Sequence, residues 1–362
     1  MIDSLKELEE NCDKWNDLWK RSTTTNPIAQ AELVALYTRF YGFEEHFQAA
    51  IVESDGRWLA AIPLVTATKY RLLKVANFPN ENHLYSIQFL LDPSFEPLET
   101  VQQLISGIRK LPMHLFWLEG IRLGNTEWQH FRNGLRLSGI PYAEQVCRET
   151  AIVTLGKPID ELEPHWNKKQ VADIKRRQKK LGELGTIEVV KCTQEKDVVD
   201  AVPVCFDIEN KGWKGDNNSS GKKKGHEPFF TEKARLLAQK NQMLIYGLTL
   251  DSKWIAFQYC YTGKDTCYVL KLSYDPEFRQ YGAGQILNYL VFQDLCKNSD
   301  ISLYDYIGDI MDYQKIWNPV VVQKNQLVFP MNSLLGKTAF SAYRFLKSTP
   351  PQSGPEISEL ES

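Results

Sequence analysis

Two short phrases recur in the same order in this chain, and they constrain its fold more than any other feature. Asp55-Gly56-Arg57-Trp58-Leu59-Ala60 returns as Asp251-Ser252-Lys253-Trp254-Ile255-Ala256, an offset of 196 residues (251 − 55). Asp92-Pro93-Ser94-Phe95 returns as Asp275-Pro276-Glu277-Phe278, an offset of 183 (275 − 92). Asp-Gly and Asp-Pro start turns for local reasons, so a single echo is shared turn chemistry. Two echoes in one order at similar offsets point to an internal duplication. The length of 362 residues suits two units of ordinary domain size.

The pattern between the echoes has the same order in both halves. Apolar spacing predicts a helix over 4–20, a linker or turn at 22–27, and a second helix over 28–40. A hairpin follows from Phe47 to Val65, split at Asp55-Gly56. Apolar segments near 72–78 and 85–91 precede a helix at 96–110, a strand at 113–119, a helix at 127–138 and strands near 142–155. The second half reads as helix 166–182, strand 186–191, helix 195–210, a polar loop 211–225 and helix 227–240. A meander of strands follows at 242–250, 253–261 and 266–274, then helix 283–297, strands 301–306 and 320–328, and helix 333–346. Hairpins mixed with helices make this an α+β (mixed α/β) chain, with a mixed and mostly antiparallel sheet in each half. The expected boundaries are an N-terminal helical segment 1–25, a first domain 26–157, a second domain 158–347, and a proline-rich acidic tail 348–362 too polar to fold.

Composition narrows the partners. Lys+Arg 43 against Asp+Glu 45 gives a net charge of −2, which argues against a dedicated nucleic-acid binder. No apolar run spans a bilayer, and Met1–Glu7 has no signal-peptide pattern, so a cytoplasmic protein is expected. Seven cysteines without a C-x-x-C pair, and six histidines without ligand spacing, fit neither a disulfide framework nor a metal site.

The second Asp-Pro phrase runs into Arg279-Gln280-Tyr281-Gly282-Ala283-Gly284-Gln285-Ile286. Two glycines between a strand and a helix leave backbone N–H groups uncovered at a helix N-terminus, where amides and the helix dipole hold a diphosphate. Arg279 can add a charge-assisted bond. The bare pattern arises by chance in roughly one chain in three of this length, and its position at the strand-to-helix junction carries the signal. The first half offers a contrast at the same point: Glu96-Pro97-Leu98-Glu99-Thr100 has no glycine, a proline without N–H, and two carboxylates that repel phosphate. Only the second half is built for a phosphorylated cofactor.

These residues resemble a known group. Arg279-x-x-Gly282-x-Gly284 is similar to the acyl-CoA pyrophosphate loop of GNAT N-acyltransferases. The second half resembles, more narrowly, the CelD-like acetyltransferase domain, related to the FemAB peptidoglycan aminoacyl ligases. The matching residues are His165-Trp166 with the basic run to Leu181, Glu209-x-x-x-Trp213-Lys214-Gly215, Tyr274-Asp275-Pro276, Gly282-x-Gly284, Asp305-Tyr306-Ile307-Gly308-Asp309, and Tyr313-Gln314-Lys315-x-Trp317. The loop departs from the Ser-Pro-Gly often found in that group. The first half resembles the weaker N-terminal copy, so the similarity spans about residues 25–330. The resemblance implies two tandem GNAT-like domains, acyl-CoA (acetyl-CoA) as cosubstrate, no metal, and transfer to an amine. It places Leu270 and Leu272 on the cofactor strand, and Trp213, Lys214 and Trp317 on the substrate side.

Acyl transfer from a thioester needs the amine deprotonated, the carbonyl oxygen stabilised and the thiolate protonated. In GNAT-like sites backbone N–H groups meet the oxygen, here near Leu270–Ser273. Tyr313 can protonate the thiolate; Asp309 can take the amine proton or bind the amine; Lys315 can neutralise a substrate anion. Asp309 reads equally as a helix cap and Tyr313 as a packed core residue. Glu209 is a second candidate base, with an exposed surface carboxylate as its bland reading. The run Lys168, Lys169, Lys175, Arg176, Arg177, Lys179, Lys180 reads first as a solvated face around Val171, Ile174 and Leu181, and second as a contact for cofactor phosphates or tRNA. The acceptor is a small-molecule, saccharide or amino-acid amine. Competing expectations are a FemAB-like aminoacyl-tRNA-dependent ligase and a non-catalytic tandem module.

Overall fold

The computed structural model describes residues 1–79, 88–212, 219–298 and 300–348. Of the tail expected over 348–362 to lack structure, Ser348 is the last residue of a helix, and 349–362 lie outside the described residues. Helices α1 (Leu5–Glu10), α2 (Cys12–Arg21) and α3 (Ala31–Phe40) precede strands β1 (Phe47–Ser54), β2 (Arg57–Lys69), β3 (Leu73–Asn77) and β4 (Leu90–Leu91). Then come α4 (Pro97–Ile108), β5 (Leu115–Ile121), α5 (Thr126–Leu137) and β6 (Ala143–Thr154). The second half holds α6 (Ile159–Leu162), α7 (Lys168–Gly182), β7 (Ile187–Cys192), α8 (Glu195–Lys211), α9 (Glu227–Ala238), β8 (Met243–Leu250), β9 (Lys253–Gly263) and β10 (Thr266–Tyr274). It ends with α10 (Ala283–Asn298), β11 (Leu303–Asp305), β12 (Val320–Pro330) and α11 (Leu334–Ser348).

The repeated phrases make the same local structures. Asp55-Gly56 and Asp251-Ser252 both turn their hairpins with two consecutive positive φ angles, 51° and 75° in one, 48° and 66° in the other. Each hairpin carries an irregularity at the equivalent place, between Val52 and Glu53 and between Leu248 and Thr249. Asp92 donates its N–H to the Leu59 carbonyl at 2.8 Å, and Asp275 donates to Ile255 at 2.7 Å. Each aspartate then accepts the N–H two residues on, from Ser94 (3.0 Å) and Glu277 (3.2 Å). The duplication is therefore visible in hydrogen bonds as well as letters.

Among the described residues the strands form one sheet, ordered β1-β2-β3-β5-β12-β6-β11-β10-β9-β8-β7, with β4 beside β2. It is antiparallel except at β3–β5 and β10–β11. The final strands of the two halves change places. β12, from the end of the chain, lies between β5 and β6. β6, from the first half, pairs with β11 of the second. The expected boundary near 157 thus follows the chain, while each half's sheet is completed by a strand of the other.

Side chains from opposite faces of this sheet enter different cores. On β8, Ile245 joins the cluster of α8 and α9, while Tyr246 and Leu248 join that of α7 and α10. The expected helix over 4–20 is two helices, because Asn11 bonds back to the Glu7 carbonyl through both its side chain (2.9 Å) and its N–H (3.1 Å). The segment 22–27, read as a linker, is a buried strap: Thr24 donates to the Phe89 carbonyl at 3.1 Å, and the Thr25 hydroxyl bonds the Tyr268 hydroxyl of the second half.

Phe329 of β12 stacks on Phe116 (centroids 4.4 Å apart) and approaches Phe131 (6.1 Å), both in the first half. Replacing it by Ala costs about 3–5 kcal/mol. Because Phe329 belongs to the exchanged strand, denaturant unfolding followed by near- and far-ultraviolet circular dichroism should show one transition moving as a whole. Separate transitions, with only one shifted, would contradict the exchange.

Candidate functional site

The site begins where two strands part. β10 pairs with β11 in parallel only over Thr266–Tyr268, opposite Leu303–Asp305, yet β10 continues to Tyr274. Leu270 is an extra residue in the β10–β9 ladder, where the register shifts between Val269 and Lys271. Such a bulge bends and twists its strand. Beyond it, among the described residues, no strand pairs with the β11-facing edge of Leu270–Tyr274, which leaves main-chain donors and acceptors along that edge. Leu270 and Leu272 are half-buried along it.

Asp275 ends β10 as a buried carboxylate, bonded to Lys211 at 2.7 Å. Burial alone would raise its pKa; the Lys211 ammonium and the Glu277 N–H hold it below the usual carboxylate range instead. It caps a 3-10 turn over Pro276–Tyr281, which Gly282 closes in the left-handed region at φ 68° before α10 starts at Ala283. Gln285 and Ile286 both donate to the Gly282 carbonyl (2.9 and 3.0 Å). The amides of Ala283 and Gly284 are the first of the helix and have no intrahelical acceptor. Each glycine has its own reason. Gly282 needs the positive φ, and a Cβ there would stand 3.3 Å from Arg177 Nη1; at Gly284 it would stand 3.3 Å from the Tyr274 ring.

The basic helix is not only a solvated face. Val171, Ile174 and Leu181 are buried as expected. Arg176, Arg177 and Lys180, however, line an open cleft of about 410 Å³ together with Gln280 and Tyr281 of the bend. Asp173 pairs with Arg176 and with Arg177 (2.6 Å), which fixes the two guanidinium groups. Sequence spacing could not bring this helix to the loop, about a hundred residues apart.

The other candidates separate into two groups. Tyr313 lies beside the first turn of α10, where its carbonyl accepts from Gln285 Nε2 at 3.5 Å. Its hydroxyl is bonded by Gln314 Nε2 at 3.2 Å, and burial raises its pKa. Asp309 is exposed, 3.8 Å from Arg148 Nη1. Glu209 is not a surface carboxylate: it is 1% exposed, holds Lys271 Nζ at 2.9 and 3.1 Å, and accepts the Gly221 N–H at 3.0 Å. Its partner lies one residue beyond the β10 bulge. Arg279 is exposed, and Lys315 is exposed and pairs with Asp312 at 2.8 Å. Trp317 is a core residue, packed on Trp166 and Phe292 at 5.0 Å each, away from the cleft surface. Trp213 and Lys214 lie outside the described residues. Among the described residues, no group of three His, Cys, Asp or Glu side chains is arranged to hold a metal.

Sequence reasoning missed a polar cavity of about 50 Å³ at the junction of the halves, lined by Thr23–Asn26, Arg122, Tyr268, Asp305, Ile307 and Lys324. In the sequence Lys324 sits in the polar run Gln323-Lys324-Asn325-Gln326, which gives no sign of its burial.

Comparison with known proteins fits this geometry. Residues 168–315 match the family model described as an acetyltransferase (GNAT) domain. The chain is similar in structure to FemX, with a TM-score of 0.66 at 11% identity, covering 93% of this chain and 98% of that one. It is also similar to the C-terminal domain of a putative lysylphosphatidylglycerol synthetase from Agrobacterium fabrum (TM-score 0.54, 13% identity, 94% and 97% covered). L-PGS from Bacillus licheniformis is a further neighbour (TM-score 0.52, 12% identity, 92% and 96% covered). No curated protein sequence matches. The chain has a tandem GNAT, FemAB-like fold.

Gly282→Ala forces a Cβ into the left-handed region and should cost about 1–2 kcal/mol of stability in urea unfolding. An unchanged midpoint would mean that the bend does not hold this conformation.

Proposed function

We propose that this tandem GNAT-fold chain is an N-acyltransferase that moves an acyl group, acetyl in the simplest case, from acyl-CoA to an amine acceptor held beside it. The observation that carries the reading is the combination of the open β10 edge with the Gly282 bend at the head of α10. The residues present fit the cofactor: free amides of Ala283 and Gly284, a left-handed glycine, and Arg176, Arg177 and Lys180 facing the bend suit a diphosphate and a further phosphate. Acyl-CoA, when bound, supplies a thioester: the amine nitrogen bonds to its carbonyl carbon, the C–S bond breaks, and the amine proton and thiolate must be accounted for.

The chain's part is positional and protonic. N–H groups of Leu270–Ser273 on the open edge donate to the carbonyl oxygen as negative charge builds on it. Tyr313, kept protonated by burial, gives its proton to the departing sulfur. Asp309, exposed and near Arg148, receives the amine proton through water. Glu209 is engaged by Lys271 and Gly221, which makes it a support for the bulged strand and a weaker candidate for the base. Lys315 remains available to an acidic acceptor. The first half, without glycines at Glu96–Thr100, carries no second cofactor site. No helix among the described residues is long and apolar enough to cross a membrane; seven free cysteines accord with a reducing cytosol, where acyl-CoA is at hand.

A second reading, an aminoacyl-tRNA-dependent ligase, is favoured by the cluster Arg176, Arg177 and Lys180. Calorimetric titration with acetyl-CoA separates the two. Saturable binding that Gly282→Val and Gly284→Val each weaken by at least about tenfold supports the acyl-CoA reading. Absence of binding, with tRNA binding that falls steeply as salt rises, favours the ligase. With an amine acceptor found by free-thiol release, Tyr313→Phe should lower kcat by roughly 10- to 100-fold and leave acetyl-CoA affinity within about twofold. Unchanged turnover would remove Tyr313 from the acid role.

A further inference from the structure

The turn that follows β11 is held in a conformation its own sequence disfavours. Ile307 has φ 56°, in the left-handed region, and a β-branched residue there is a genuine outlier. Such strain persists only where surrounding structure imposes it. Here both polar groups of Ile307 are gripped. Its N–H donates to Asp305 Oδ1 at 2.8 Å, and its carbonyl accepts from Lys324 Nζ at 2.7 Å.

The grips come from distant parts of the chain. Asp305 is 1% exposed and receives the Arg122 guanidinium from the first half, 183 residues away. Lys324 is 1% exposed and sits on β12, the strand inserted between β5 and β6. Beyond Ile307, the Ile310 N–H is tied to the Glu149 carbonyl of β6 at 2.9 Å. The ties on Ile307 and Ile310 therefore lead to Asp305, to the first half, or to an exchanged strand, while Gly308 bonds back to the Tyr306 carbonyl and Asn288 of α10 bonds the Tyr306 hydroxyl at 2.8 Å.

We propose that Arg122, acting through Asp305, and Lys324 are positioning residues that lock the Tyr306–Asp309 turn, and so set Asp309 near Arg148 and, in the chain that follows, Tyr313 against the first turn of α10. This rests on the acyl-transfer reading for what Asp309 and Tyr313 do, although the lock itself does not. The first half then has a task in the second: its Arg122 sets the geometry of the second half's chemistry. Burial and the neighbouring Arg122 and Arg148 lower the Lys324 pKa to about 7, against the opposite pull of Asp305 and Asp309. Lys324→Met removes the donor to the Ile307 carbonyl while keeping an unbranched side chain of similar length.

Hydrogen–deuterium exchange on the full chain tests the lock without any ligand. Relative to wild type, Lys324→Met and Arg122→Met should speed exchange at Ile307 and Ile310 by at least about tenfold, with α4 unchanged and Arg122→Lys partly restoring protection. Unchanged exchange at 307–310 in the folded Lys324→Met protein overturns the proposal. Should Arg122→Met not fold, because Asp305 is left buried and unpaired, Lys324→Met and Arg122→Lys still decide it. With acetyl-CoA and an amine acceptor on which the wild type turns over, free-thiol release should fall by about tenfold or more in Lys324→Met while acetyl-CoA affinity stays within about threefold. Equal losses of affinity and release would reduce the cluster to general scaffolding. If wild type does not bind acetyl-CoA, the acyl-transfer reading fails while the exchange result still stands.

Discussion

The early end of the β10–β11 pairing is the constraint on which the rest depends. Parallel neighbours that stayed in register to Tyr274 would satisfy each other's main-chain groups and leave no cleft. They part after Tyr268 because Leu270 is an added residue that turns β10 aside, and because β11 is only three residues long before the gripped turn at Ile307. The open edge follows from that divergence, and the local bend at Gly282 and the basic face of α7 stand beyond the end of the same strand. Backbone polar groups that a closed sheet would consume are left for something else to bond.

The two halves start from the same local structures and diverge where the strand meets the following helix. Both build the same hairpin, the same irregularity and the same aspartate anchor. In the first half, Asp92 is bonded by Arg21 and by Arg57 (2.7 Å), and the chain enters α4 through Glu96 and Pro97 with Glu99 in the first turn. Carboxylates and a missing N–H stand where the second half offers glycines and amides. The first half instead contributes a strand, a buried arginine and the Thr24–Thr25 strap to the second. Duplication followed by such division of labour leaves neither sheet complete without the other.

Much of the fold was legible because it is local. Alternating apolar residues placed the strands, paired turn residues placed both hairpins, and Gly282 and Gly284 marked the bend, since only glycine tolerates φ 68° and a 3.3 Å approach there. Other readings missed for want of a partner. Glu209 stood as a candidate base or a surface carboxylate until Lys271 was found against it, and Trp317, which the resemblance places on the substrate side, is packed against Trp166 and Phe292. The helix expected over 4–20 breaks at Asn11, where a side-chain bond to Glu7 competes with the helix ladder.

By itself the sequence determined the repeat, the kinds and order of elements, and the glycine bend at Gly282, because each rests on side-chain period or on backbone freedom within a few residues. Tertiary structure alone decided that β6 and β12 exchange, that α7 turns Arg176, Arg177 and Lys180 toward the bend, and that Arg122 reaches Asp305. Strands of equal apolarity compete for the same slots in a sheet, and the winner is set by how all the faces are buried together. A charge finds its partner only after that competition is over.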